Sequence, residues 1–138
     1  MGKFFLQHWP VIAWALLLFT LSSIPNPSSL IHLASWDDKW EHLLAYIPFG
    51  WLLMRSFTMK TRGASHAYWQ TIVTGVLFGI SDEIHQYFVP GRFMDWRDAV
   101  ADAVGVILGG WLFIIWQQRK RHREPITQPW RRETPLSH

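Results

Sequence analysis

A chain of 138 residues has room for one domain, and with no cysteine it excludes disulfides, thiol nucleophiles and Cys-ligated zinc. Only 17% of residues are charged and 49% are hydrophobic, ten of them Trp, whereas a soluble domain carries about a quarter charged residues. The net charge of +3 at pH 7 would suit nucleic acid, but the charges are placed for a different role, and no nucleic-acid partner is expected.

Taken in chain order, four apolar segments approach the roughly 20 helical residues needed to cross a hydrocarbon core. The first runs over about residues 4–24 and is stopped by Pro25 and Pro27, since proline cannot continue the hydrogen-bond ladder. A cleaved signal peptide is the alternative for this segment; it has Lys3 and an apolar stretch but no A-x-A-like site. The second segment, about 40–57, contains Pro48 and Gly50, and a kink is expected near the proline. The third covers about 68–88 and ends at Val89-Pro90-Gly91; the fourth covers about 98–116. The expected fold is all-α, a four-helix transmembrane bundle over residues 1–116. A basic, proline-containing tail over 117–138 reads as a disordered topology anchor meeting anionic headgroups.

Lysine and arginine set the orientation. With both termini cytoplasmic, Lys3, Arg55, Lys60, Arg62 and six tail residues lie inside, ten of the thirteen basic residues. Lys39, Arg92 and Arg97 lie outside. The acids sort the other way: Asp37, Asp38, Glu41, Asp82, Glu83, Asp95, Asp98 and Asp102 fall at or near the outer helix ends. The positive-inside rule leaves acids nearly free, so something else holds them there.

Asp82 lies roughly 9 Å of helix below Phe88. An ionisable side chain facing lipid at that depth costs on the order of a few kcal/mol, so it is expected to face the bundle. Asp82, His85 and Gln86 share a face by their spacing, and Glu83 is offset by about 100°. In the second helix Asp38, His42 and Tyr46 stack, with Lys39 beside them. In the fourth, Asp98, Asp102, Gly105 and Gly109 form one stripe, whose small residues predict close contact with another helix. Five acids and His42 are therefore expected in one outer cluster: Asp38, Asp82, Glu83, Asp98 and Asp102. Two readings stand: a buried polar network fixing helix register, or a functional site, the default for intramembrane ionisable groups.

In the functional reading, Asp82, Glu83, His85 and His42 are candidates for acid–base chemistry. Asp82, Glu83, Asp98 and Asp102 are candidates to hold a divalent cation. Lys39, His42, Tyr46, Gln86, Arg92, Asp95, Asp98 and Asp102 are candidates to bind a substrate. Arg92 has the planar fork for a phosphate or carboxylate, with a salt bridge to Asp95 or Asp98 as its alternative. The other five histidines, His8, His32, His66, His122 and His138, read as solvent-side or interfacial, and the Trp residues as interfacial belt and packing.

The order Asp38-Lys39-xx-His42-xxx-Tyr46, then Gly79-xx-Asp82-Glu83-xx-Gln86-xxxx-Gly91-Arg92-xx-Asp95-xx-Asp98, then Gly105-xxx-Gly109, resembles the VanZ-like family of bacterial integral membrane proteins. Ser22-Ser23-x-Pro25 also fits, and the match covers about residues 20–110. The resemblance implies a multi-pass protein of the bacterial cytoplasmic membrane with a cell-envelope role. The family's namesake lowers susceptibility to the glycopeptide teicoplanin without rebuilding the peptidoglycan precursor. It implies no reaction. Three functions follow from these residues: binding a membrane lipid or lipid-linked cell-wall component; an enzyme acting on a phospholipid or polyprenyl-phosphate headgroup with a divalent cation; and a small ion or proton transporter. No inverted hydropathy repeat supports the third, and no G-x-S-x-G nucleophile motif is present.

Overall fold

The computed structural model describes residues 2–25, 37–59 and 63–123, with side chains described for 7–25, 39–59 and 63–123. Four α-helices make up its regular structure: α1 (Gly2–Ser22), α2 (Asp37–Thr58), α3 (Ala64–Tyr87) and α4 (Trp96–Arg123). Strands are absent from the described residues. The helices lie where the apolar segments predict them. α2 continues through Pro48 and α1 through Pro10.

The ends differ more. α3 begins four residues earlier than expected, at Ala64, and α4 runs to Arg123, seven residues beyond Trp116. Hydropathy falls away at Gln117, but Gln, Arg and Lys are strong helix formers, so the helix outlasts the apolar stretch. The first seven residues of the expected disordered tail are thus helical, and residues 124–138 lie outside the described part.

Register defines the topology. Going up α2, His42 meets Asp102, Tyr46 meets Gly105, and Ile47 and Trp51 meet Gly109, so α2 and α4 run parallel. Going up α3, Tyr68 and Thr71 meet Gly110, Gly75 meets Val106 and Gly79 meets Asp102, so α3 is antiparallel to α4. Gln7 and His8 of α1 touch Ser56, while Trp14 Nε1 donates to Ala45 O, so α1 is antiparallel to α2. The chain runs up, down, up, down.

The α2–α4 contact is the most extensive, and glycine is the reason. A Cβ on Gly105 would stand 2.7 Å from Leu43 O, one on Gly109 would strike Ile47 O, and one on Gly50 would strike the Val106 backbone. The stripe on α4 therefore faces α2, with backbone against backbone. The remaining core is apolar: Leu18, Tyr46, Phe49, Leu53 and Val106 form one cluster, and Met54, Ala67 and Phe113 another.

The outside of the bundle is apolar as well. Exposed residues include Leu16, Leu17, Phe19 and Leu21 on α1, Leu44 on α2, Val73, Leu77, Ile80 and Ile84 on α3, and Val100, Val104, Ile107 and Trp111 on α4. By length and composition one helix among the described residues, α4, is long and apolar enough to cross a membrane, with a mean hydropathy of 2.0 over its best window. α2 and α3 carry polar residues within their length, Arg55 in one and Asp82, Glu83 and His85 in the other.

Candidate functional site

Polar side chains gather where α2 and α4 begin and α1 and α3 end. Asp82, Glu83, Gln86, Asp98 and Asp102 are all buried there, and Asp102 is fully so. His42 completes the group with its side chain 15% exposed. The expected convergence of His42, Asp82, Glu83, Asp98 and Asp102 is present in the geometry. The side chain of Asp38 lies outside the described residues.

Asp82 and Glu83 are neighbours in sequence, and the helix turns them to different partners. Asp82 reaches α1, where Ser22 Oγ donates to its Oδ1 at 2.6 Å. Glu83 reaches the residue just before α4, where its Oε2 accepts the backbone N–H of Asp95 at 3.1 Å. Gln86 straddles the two, its Nε2 lying 3.4 Å from Asp82 Oδ2 and 3.5 Å from Glu83 Oε1. One amide thus joins two carboxylates about 100° apart on the helix.

Across α2 and α4, His42 Nδ1 stands 2.9 Å from Asp102 Oδ1 and 3.9 Å from Glu83 Oε1. Tyr46, one turn further along α2, is 1% exposed. Its phenol lines the cleft between α1, α2 and α3, and its oxygen, like Asp102 Oδ2, makes no hydrogen bond of strict geometry with the described residues. Donor atoms of His42, Glu83 and Asp98 all lie within 4.8 Å of one another. The metal candidates expected from sequence thus divide: Glu83 and Asp98 group with His42. Asp82 turns to Ser22, and Asp102 holds the same nitrogen of His42, Nδ1, that faces Glu83.

The cations are engaged by the protein itself. Lys39 Nζ bridges Asp95 Oδ2 at 3.3 Å and Asp98 Oδ1 at 3.2 Å. Arg92 makes neither the expected salt bridge to Asp95 or Asp98 nor a free fork. Its Nε donates to Ile24 O at 3.1 Å, Nη2 to Leu21 O at 3.0 Å and Nη1 to Gln86 Oε1 at 3.4 Å. It therefore satisfies carbonyls at the end of α1, where a helix leaves its last C=O groups without partners. The turn Val89-Pro90-Gly91-Arg92 aims it there: Gly91 has φ 79°, which suits the third position of a type II turn after proline, and Arg92 N closes on Val89 O at 3.1 Å.

Asp95 caps α4. It precedes Trp96, the first helical residue, and its Oδ1 accepts the N–H of Arg97 at 2.9 Å. That bond holds the Asp95 carboxyl below its ordinary range; partial burial opposes the shift and Lys39 adds to it. Lys39 in turn is raised, burial opposing and the Asp98 and Asp95 carboxylates prevailing.

His85 lies apart from the cluster. It stacks on Phe19 at 4.3 Å between ring centroids, and its Nε2 is 2.9 Å from Ser23 Oγ. His8, expected at the solvent side or the interface, is buried at the opposite end of the bundle beside Ser56. Its spacing from Pro10 carries no sign of that burial. Ser22 escapes a reading of the motifs as a polar site, because it reads as part of a helix stop.

A cleft of about 120 Å³, partly open to the outside, lies between α1, α2 and α3. Leu18, Leu21 and Ala45 form its apolar wall; Ser22, Glu41, His42, Tyr46, Asp82 and Gln86 form its polar wall, with Arg92 at the rim.

An all-helical bundle with an apolar exterior and buried acids at one end is the class that fold and site define. A family model described as VanZ/LLP1 matches residues 5–117, and the chain belongs to the VanZ/LLP1 family. No curated protein and no solved structure matches it. Family membership together with the apolar α4 points to a membrane protein.

Proposed function

We propose that this chain is a four-span protein of the bacterial cytoplasmic membrane, with both termini inside, and that its outer-end cleft takes the head of a membrane lipid or lipid-linked cell-wall component. The observation that carries the reading is the cleft itself. An apolar wall of Leu18, Leu21 and Ala45 faces a polar wall that includes Ser22, His42 and Asp82. Such a two-sided cleft suits an amphiphile whose chain stays in the bilayer and whose head enters the bundle.

Electrostatics narrows the head. Arg92 and Lys39 are held by protein acceptors, and the polar wall carries carboxylates. A group rich in hydroxyl or amine donors, such as a saccharide, pairs with such a wall, whereas a bare phosphate is repelled by it. An exposed apolar surface on all four helices supports immersion in lipid, because exposed patches on soluble proteins rarely exceed a few hundred Å². Exposed Trp40 and Trp96 at one end and Trp9, Trp69 and Trp116 towards the other fit the two interfacial belts of a spanning bundle. An effect on teicoplanin susceptibility follows if the bound component is one the antibiotic must reach.

A second reading is an enzyme acting on a phosphate-bearing headgroup through a divalent cation. The grouping of His42, Glu83 and Asp98 favours it. Nothing comparable favours a proton or ion transporter: Phe49, Leu53, Met54, Val106 and Phe113 form an apolar middle between the polar ends.

The test is a photo-reactive amino acid in place of Leu21, activated in membranes that contain lipid-linked saccharide precursors. Intact mass spectrometry should find adducts of the saccharide-bearing lipid far above its share of the membrane. In an Asp82→Asn background that enrichment should fall while total adducts persist. Adducts in proportion to bulk lipid composition would sink the reading.

A further inference from the structure

We propose that the turn joining α3 to α4 docks into the phospholipid headgroup layer at the acidic end of the bundle, immersing Phe88, Phe93, Met94 and, at the start of α4, Trp96. This docking requires a bundle that spans the membrane, as proposed above; it requires no ligand in the cleft.

A turn that meets water puts its charges outward and its large apolar side chains inward. This one does the reverse. Phe93 is 88% exposed and Phe88 74%, and Met94 and Trp96 are exposed as well. The two ionisable residues between Phe88 and Trp96 are turned to the protein instead. Arg92 donates to Leu21 O, Ile24 O and Gln86 Oε1, and Asp95 divides its oxygens between Lys39 and the Arg97 N–H. The backbone follows the same rule. The N–H groups of Phe88, Val89, Arg92 and Asp95 bond to His85 O, Gln86 O, Val89 O and Glu83 Oε2, and Pro90 has none to satisfy. Backbone donors satisfied within the protein are what a medium poor in water demands.

What covers the patch follows from its edges. From Phe88 it continues along α3 into exposed Ile84, Ile80 and Leu77, and from Trp96 along α4 into Val100, Val104 and Ile107. Both stripes follow three- and four-residue spacing, one face of each helix. A protein seated on the turn would leave those stripes bare, whereas lipid covers turn and stripes as one surface. Aromatic rings at a bilayer boundary lie at headgroup level. Exposed Arg97 holds its guanidinium 5.8 Å from the centre of the Trp96 ring, a planar fork suited to the lipid phosphates found at that level. Arg92 belongs to the same turn and to the rim of the cleft. The cleft mouth therefore opens within the headgroup layer, and an amphiphile reaches it from the leaflet without crossing water.

The chain has no cysteine, so one introduced cysteine can carry a spin label in the full-length protein. Phe93→Cys and Met94→Cys probe the turn, Leu77→Cys the middle of α3, and Arg123→Cys the polar end of α4. Each labelled protein is placed in vesicles of phosphatidylethanolamine and phosphatidylglycerol. Collisions of the label with oxygen, which enters lipid, are compared with collisions with a neutral nickel chelate, which stays in water. Labels at Phe93 and Met94 should meet nickel several-fold less than the label at Arg123 while remaining open to oxygen, at a depth between those of Arg123 and Leu77. Circular dichroism shows which labelled proteins are folded, and either turn position alone is decisive. Turn labels as open to nickel as the one at Arg123 would overturn the proposal. Turn labels closed to both probes would put protein on the patch, a second copy or another chain, and overturn it equally. The Leu77 label separates these results from failure of the spanning reading: it stays closed to nickel if the turn alone is misplaced, and opens to nickel if the bundle does not span.

Discussion

Single residues at the acidic end of the bundle do two jobs, and Asp95 separates them. Its Oδ1 caps α4 through the Arg97 N–H, while its Oδ2 pairs with Lys39. Removing both functions with Asp95→Ala should cost roughly 0.5–2 kcal/mol, the range for loss of a helix N-cap. Asp95→Asn keeps an acceptor for the cap and loses only the charge, so it should cost less. The pH dependence follows from the depressed carboxyl. A group whose pKa is lowered by folding contributes stability above its unfolded value, near 4 for Asp, and loses it as pH falls through the lower folded value. Lys39 is raised, so its share is present at all pH values below its ordinary one and is lost only in strong alkali. The gap in thermal midpoint between the parent and Asp95→Asn should therefore be constant from pH 6 to 8 and shrink below about pH 4. A gap that widens in acid would show that the Asp95 charge does not stabilise the fold. Arg92 carries the opposite lesson about reading residues singly. Its chemistry suits a phosphate, but a two-residue turn directs it onto Leu21 and Ile24 carbonyls, and no side-chain property announces that direction.

At the scale of elements, the α2–α4 seam is the most constrained part of the molecule. A Cβ on Gly109 would meet backbone, the Ile47 carbonyl oxygen and, at 2.8 Å, the Trp51 nitrogen. Backbone cannot rotate away, so Gly109→Ala must push the helices apart, at a cost typical of overpacking, about 1–3 kcal/mol. Gly110→Ala instead meets the edge of the Tyr68 ring at 3.0 Å, a side chain that can turn. Thermal unfolding in detergent should rank Gly109→Ala well below Gly110→Ala. Equal midpoints would mean that the seam is looser than its geometry. Much of this seam was legible in the sequence, since four- and three-residue spacing places Asp98, Asp102, Gly105 and Gly109 on one stripe whatever the tertiary fold. The identity of the facing helix was not, because periodicity describes a helix's own surface and says nothing of its neighbour. The same limit explains Ser22. A hydroxyl at a helix end before proline reads as a stop, and only the parallel register of α1 and α3 brings it to Asp82. The helix ends depart from the apolar segments where hydropathy and helix propensity part company, at Ala64 and beyond Trp116.

For the whole molecule, the charges and the fold describe one axis. Lys39, Arg92, Asp95, Asp98 and the buried acids meet at one end of the bundle, and the helical run Arg119-Lys120-Arg121 closes α4 at the other. In a membrane the up-down-up-down register leaves two possible orientations, and the proposed one rests on the basic residues. With both termini inside, ten of thirteen are cytoplasmic, which is the bias that sets topology when loops are short. Reversal would expose those ten on the outer side and turn the acidic cluster towards the cytoplasm, where lipid-linked wall components in their exported form are absent. A fluorescent protein fused after Leu136 should therefore be bright, and alkaline phosphatase fused there inactive. A phosphatase inserted near Ser29, in the connection that precedes Lys39, should be active. The paired readout guards against a fusion that simply misfolds, since each reporter is active on one side only. An active phosphatase at Leu136 would invert the axis, move the cluster to the cytoplasmic face and remove the outer-leaflet partner from the account.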